Sequence, residues 1–161
     1  MNIRHAQPGD IADIRRVAER TWEADYPDIP HRENIDEVAD EWYSDDRMSE
    51  ELKNEDAIVA VAEEDGDIVG FAHGIWARRT GHILRVYTDP DHRECGIGRE
   101  LLATVRDTLL KRGSDRIQAM VLAENELGNQ FYQNAGFKKI DEDKTTIGGE
   151  TYTENVYRRA G

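Results

Sequence analysis

Tyr87-Thr88-Asp89-Pro90-Asp91-His92-Arg93-Glu94-Cys95-Gly96-Ile97-Gly98-Arg99 is the stretch on which the reading of this chain turns. Before it, His82 to Thr88 is apolar and extended in character, and Asp89-Pro90 ends that strand because proline cannot donate to a sheet ladder. After it, Ile97, Leu101, Val105 and Leu109 recur at helical spacing. A helix start of this kind presents unpaired backbone N–H groups and the positive end of the helix dipole, and Gly96 and Gly98 let a bulky anion come close to them. A pyrophosphate suits that turn. An ordinary glycine turn opening a surface helix fits the same residues, so the wider context must decide. Two familiar phosphate motifs do not match: no Gly-Lys followed by Ser or Thr is present, and Leu101 stands where a dinucleotide fingerprint needs its third glycine.

Working outward, Asn2 to Ala6 reads as a short strand ending at Pro8-Gly9-Asp10, and Ile11, Ile14, Ala18 and Trp22 mark a helix after it. Pro27 and Pro30 separate that helix from a second, expected around Ile35, Val38, Ala39 and Trp42. Ala57–Ala62 and Ile68–Ala72 flank Asp65-Gly66, the signature of a tight antiparallel hairpin. Gly113-Ser114 closes the helix that starts at Ile97, and Ile117 to Leu122 follows as a fifth strand. Leu127, Phe131 and Ala135 give a last helix ended by Gly136, then Phe137–Ile140 and Thr151–Tyr157 form strands around Gly148-Gly149. The order is that of one mixed α/β (α+β) domain over residues 1–161 with a meandering sheet, without repeats or low-complexity tracts.

Composition narrows the function classes. The chain has 161 residues and a formal charge of −13, from 34 acidic and 21 basic side chains. A field of that sign repels phosphate backbones, which argues against nucleic acid as a partner. It suits either a plain solvated surface or a cationic substrate such as a polyamine or a lysine-rich tail. Arginine supplies most of the positive charge, a balance that resembles proteins of salt-loving organisms. The segment from Trp76 to Arg116 inverts the pattern, with nine basic and six acidic residues, and there an anion is expected. No stretch approaches the ~20 apolar residues that span a bilayer, and the first residues lack a secretory core, so a soluble, cytoplasmic protein without a membrane partner is expected. Cys95 is the single cysteine, leaving no intramolecular disulfide and no cysteine zinc cluster; no metal is expected.

Arg93-x-x-Gly96-x-Gly98, set between strand and amphipathic helix, resembles the acetyl-coenzyme A signature of the GNAT family of N-acetyltransferases. Asn125, Phe131-Tyr132 and Gly136-Phe137 are similar to that family's later segment, and Ile3 to Asp10 is similar, more weakly, to its first strand and turn. The resemblance covers nearly the whole chain except Trp22 to Lys53, a family-variable region. It implies a mostly antiparallel sheet of about seven strands, splayed between the fourth and fifth, with about four helices and a slot for the pantetheine arm of acetyl-coenzyme A. It further implies that the main chain of Val86, Tyr87 and Thr88 bonds that arm, that Glu94, Cys95, Gly96, Ile97, Gly98 and Arg99 wrap the pyrophosphate, and that Asn125 contacts the arm. Arg93 and Arg99 would add charge to the phosphates.

Acetyl transfer to a primary amine needs a neutral nitrogen, a donor for the developing oxyanion and an acid for the departing thiolate. By resemblance, Tyr132 is the expected acid; its alternative role is an aromatic packed in the core. The base is less defined. His82 stands where family members often carry a glutamate, and its ordinary pKa of ~6.5 suits proton transfer through a water. Met120 stands where some N-terminal acetyltransferases carry another, which weighs against a protein N-terminus as the acceptor. Glu23 and Glu41 are alternatives, as is loss of the proton to solvent. Cys95 has no evident catalytic partner for a covalent route, which leaves direct transfer. Trp22, Tyr26, Trp42 and Tyr43 are candidates for lining the acceptor site or for packing in helix cores. Those missing glutamates also leave room for a coenzyme-binding module without chemistry or for a structural partner in an oligomer, and a homodimer is left open.

Overall fold

The computed structural model describes residues 1–25, 44–93, 96–147 and 149–160. Strands β1 (Asn2–His5), β2 (Ala57–Glu64), β3 (Asp67–Ala77), β4 (Thr80–Thr88), β5 (Arg116–Leu122), β6 (Lys138–Ile147) and β7 (Glu150–Ala160) form a single sheet in the order β1-β2-β3-β4-β5-β7-β6. Helices α1 (Ile11–Asp25), α2 (Asp45–Lys53), α3 (Ile97–Lys111) and α4 (Glu126–Asn134), with short 3-10 turns at Pro8–Asp10 and Pro90–His92, complete the described elements. All neighbouring strands run antiparallel except β4 and β5, which α3 connects as parallel neighbours. The hairpin at Asp65-Gly66 forms as the sequence indicates, with φ of 52° and 86° at the two turn residues. The helix expected around Ile35 to Trp42 lies outside the described residues. Helix α2 is an addition to the sequence reading: Ser44 caps it by accepting from the Arg47 N–H, but only Met48 and Leu52 give it an apolar face, too few to register as a periodic pattern.

Two apolar clusters cover the two faces of the sheet. On one, Ile11, Ile14, Val17 and Met48 from α1 and α2 pack on Val59, Val61 and Phe71. On the other, Leu101, Val105 and Leu109 from α3, with Tyr132 from α4, pack on Ala60, Ala72, Ile83 and Tyr157. Each helix thus buries one stripe on the sheet, and this burial of apolar area is the main stabilising term. The outer edge strand β6 is different. Its Lys138, Lys139, Asp141, Glu142, Asp143 and Lys144 are all exposed, and among the described strands only β7 pairs with it.

A bidentate ion pair fixes the start of the chain. Arg4 on β1 donates to both carboxylate oxygens of Asp10 at 2.7 and 3.0 Å and to Glu63 at 2.8 Å, while Asp10 also accepts from the Gln7 N–H at 2.7 Å. The Arg4 hydrogen bond holds the Asp10 carboxyl below the usual carboxylate range, against the opposing effect of its burial. A depressed carboxylate contributes stability above its ordinary pKa of ~4 and loses it as the pH falls through the folded value. Chemical denaturation across pH 2–7 should therefore show acid-side loss of stability, and Asp10→Asn should flatten that limb while costing about 1–3 kcal/mol at pH 7.

Candidate active site

The fold opens where β4 and β5 part. Their parallel pairing covers four positions, Thr80 with Arg116 through Ile83 with Ala119, yet β4 continues to Thr88 and β5 to Leu122. The divergence begins at an irregularity: His73 pairs with Arg85 and Gly74 with Ile83, so Leu84 is an extra residue on β4, and such a bulge bends and twists the strand carrying it. A cavity of about 580 Å³ fills the gap, within the ~300–1,000 Å³ range of small-molecule sites. Val86, Tyr87 and Thr88 form one wall, Met120, Val121 and Leu122 the other.

One end of the cavity is basic. His92, Arg93, Gly96, Ile97, Gly98 and Arg99 line it around the first turn of α3. Gly96, the N-cap, has a φ of +80° and no side-chain cap over that turn; a Cβ there would meet nothing within 4 Å, so the space in front of it is open. Gly98 has another reason. A Cβ at Gly98 would lie 3.3 Å from the Phe131 ring and from Thr88 Oγ1, so this glycine lets α3 pack against α4 and β4 rather than clearing room for a ligand. Glu94 and Cys95 lie outside the described residues. The approach to the turn is held by Asp89, which accepts from the Asp91 N–H at 2.9 Å and pairs with Arg20 of α1 at 2.9 Å. Burial would raise the Asp89 carboxyl, but the Asp91 amide and Arg20 outweigh it and keep it lowered.

Tyr132 lines the cavity from α4. It is buried, meets Phe131 and Phe137 edge-on at 5.1 and 5.4 Å, and stacks on Tyr157 at 6.1 Å. Burial, with the Tyr87 phenol as a smaller cause, raises its pKa, so the resting phenol is protonated at neutral pH. The helix carrying it is anchored by Asn129. That side chain donates to the carbonyls of Leu122 and Asn125 at 3.0 and 2.7 Å and accepts from Asn155 Nδ2 and Tyr157 Oη at 2.8 and 2.7 Å. Asn125 caps α4 by accepting from the Gly128 N–H at 2.9 Å, and a Cβ on Gly128 would fall 2.4 Å from Asn125 Nδ2. Asn125 thus lines the cavity with its acceptor oxygen already engaged.

His82 is placed apart from these residues. It lies in the paired part of β4, opposite Gln118, and is not among the residues lining the cavity. Burial and the Arg158 charge lower its pKa. Of the other candidates, Trp22 lines the cavity and donates from Nε1 to Tyr87 Oη at 3.0 Å, while Glu23 is exposed on α1 outside the lining. Tyr26, Glu41, Trp42 and Tyr43 lie outside the described residues. The structure adds Glu154 on β7 and Arg85 on β4 to the lining.

The family model for the acetyltransferase (GNAT) family matches residues 11–137, most of the chain and both walls of the cavity. The chain belongs to the GNAT acetyltransferase family. Among relatives of this GNAT chain, the spermidine N(1)-acetyltransferase of Thermoplasma acidophilum is 27% identical over 147 residues, covering 89% of the chain and 91% of the relative. The solved structure of the PaiA N-acetyltransferase from the same organism, in complex with coenzyme A, superposes with a TM-score of 0.88 at 25% identity, covering 99% of this chain and 98% of that one. The ribosomal-protein-S18-alanine N-acetyltransferase of Escherichia coli superposes at 0.75 with 17% identity, 99% and 92% covered, which is likeness of fold alone. The match extends from the first strand to the last, so the splayed sheet is a feature of the fold and not an accident of this sequence.

Asn129 tests how this GNAT site is held. Replacing it with alanine leaves Asn155 and Tyr157, both buried, without their acceptor. Asn129→Ala is expected to cost about 2–3 kcal/mol in denaturant unfolding, while the same change at exposed Gln130 costs less than about 0.5 kcal/mol.

Proposed function

We propose that this GNAT acetyltransferase transfers the acetyl group of acetyl-coenzyme A directly to a primary amine of a small, cationic acceptor. The observation that carries the reading is the early end of β4–β5 pairing, which leaves a walled gap lined by an open helix start and by a buried tyrosine. An extended amide-bearing arm suits the edge of β4 beyond Ile83, where strand pairing with β5 has ended. In this reading the main chain of Val86, Tyr87 and Thr88 bonds the arm, as an added strand would. The turn at Gly96 to Arg99 receives the pyrophosphate, with Arg93 and Arg99 adding charge. Asn125 contacts the arm through its remaining donor.

Acetyl-coenzyme A supplies a thioester carbonyl carbon open to attack by an amine nitrogen. The protein's part is to bind, orient and move protons. Tyr132 carries its proton on Oη when the substrates bind, and in this reading that phenol donates it to the departing sulfur and is then reprotonated. Low exposure of Tyr132, Val121 and Leu122 keeps that region dry and strengthens each polar contact within it. For the acceptor class, the 27% identity to a spermidine N(1)-acetyltransferase over nearly the whole length and the net charge of −13 both support a small polyamine-like cation. Cationic acceptors are drawn toward a surface of that sign, which raises encounter rates at low salt.

Thiol release from acetyl-coenzyme A should follow addition of spermidine or a related amine. Tyr132→Phe should lower kcat by about 10²-fold or more with the coenzyme A Kd unchanged, since the ring packing survives and only the donor is lost. An absence of thiol release across an amine panel, or unchanged kcat in the Phe variant, would count against the reading.

A further inference from the structure

The cavity is also lined by a carboxylate, Glu154, whose placement follows from strand register. On β7, Glu154 pairs with Leu122 and Val156 with Met120, so Glu154, Met120 and Leu122 share a sheet face. Ala119 and Val121 pair with Tyr157 and Asn155 on the opposite face, where Tyr132 stacks on Tyr157. Glu154 and Tyr132 therefore reach one cavity from opposite sides of the sheet, through the gap between β4 and β5.

Among the described residues lining the cavity, Glu154 is the single carboxylate. It is half-buried, and no described cation forms an ion pair with it. Burial raises its pKa and Asp143 on β6 adds to that; a Thr145 hydrogen bond and the Arg85 charge on β4 act the other way. Asp143 is also its direct cross-strand partner. Two carboxylates placed opposite each other destabilise a sheet, and a bound cation would relieve the repulsion.

Resting on the acetyltransferase reading, we infer that Glu154 receives the acceptor's ammonium group and takes its proton, with Asp143 adding negative field at the entrance. In that step an N–H bond of the ammonium breaks, its electron pair stays on nitrogen as the attacking lone pair, and the proton passes to a Glu154 oxygen and then to water. The second proton is shed once the carbon–nitrogen bond has formed. It balances the one that Tyr132 gives to sulfur as the carbon–sulfur bond breaks, so one proton is released per turnover. Acid and base then stand on opposite faces of the sheet, and the acceptor enters from the side opposite Tyr132. The base expected at His82 shares the Glu154 face but lies in the closed part of the sheet, where strand pairing leaves no gap.

Glu154→Gln keeps the shape and removes the charge. With spermidine as probe and coenzyme A absent, calorimetry should show amine binding at least tenfold weaker than in the wild type. In turnover, kcat/KM for spermidine should fall by about 10²-fold or more and its rise with pH on the acid side should disappear, while Glu154→Asp restores part of both. Coenzyme A affinity should stay within about threefold of wild type in each variant, which also reports that they fold. If the Gln variant binds coenzyme A normally and keeps both its kcat/KM and its pH profile, the assignment is overturned; weaker amine binding with an unchanged pH profile overturns the proton transfer. A wild-type protein that binds no coenzyme A would instead sink the acetyltransferase reading beneath it.

Discussion

Everything distinctive about this molecule depends on the parallel contact between β4 and β5 being short. Four aligned positions are enough to lock the two halves of the sheet together, and Ile83 and Ala119 at the last of them are almost fully buried. Beyond that point each strand keeps its antiparallel partner on the other side, β3 along all of β4 and β7 along all of β5. The sheet therefore parts without unravelling, because each diverging strand is still held along its length. The bulge at Leu84 supplies the bend, and α3 and α4 roof the space that results.

How the two walls are held differs, and the difference bears on chemistry. The β4 side is tied to α1 through Trp22 and Tyr87 and through Arg20 and Asp89, so the turn ahead of α3 inherits its position from the N-terminal half. The β5 side is tied through Asn129, whose side chain donates to the Leu122 carbonyl and accepts from Asn155 and Tyr157, joining α4 to β5 and β7. The aromatic stack of Tyr132 on Tyr157 leans on that same hub. A satisfied polar network of this kind fixes the ring of Tyr132 in one place.

The sequence carries the site unevenly. The turn around Gly96 and the tyrosine at 132 are local features, set by which residue follows which, and both can be read from a single stretch. Gly98 could be located but its reason could not, since the contact with Phe131 and Thr88 exists only once α4 has packed against α3. The turn at Arg78-Arg79 has no glycine, proline or asparagine, and Arg78 adopts a φ of 62° all the same, so β3 and β4 run longer than their apolar cores suggest. Glu154 was invisible for a deeper reason. It sits among Thr153 and Asn155 in a polar strand, and only the register of β7 on β5 brings it level with the mouth of the gap. The same logic of register moves His82 away from the cavity.

The charged outer strand has a consequence for how copies of the molecule can meet. Among the described strands β6 is a long outer edge, of the kind on which another chain can add as a further strand. Here six of its ten residues carry charge, in an irregular order of sign, with an extra residue at Ile140 that breaks the pairing rhythm. A second copy laid alongside would have to match that irregular order and the kink together. The opposite border, β1, offers four residues only. Both borders thus discourage lateral growth into ribbons.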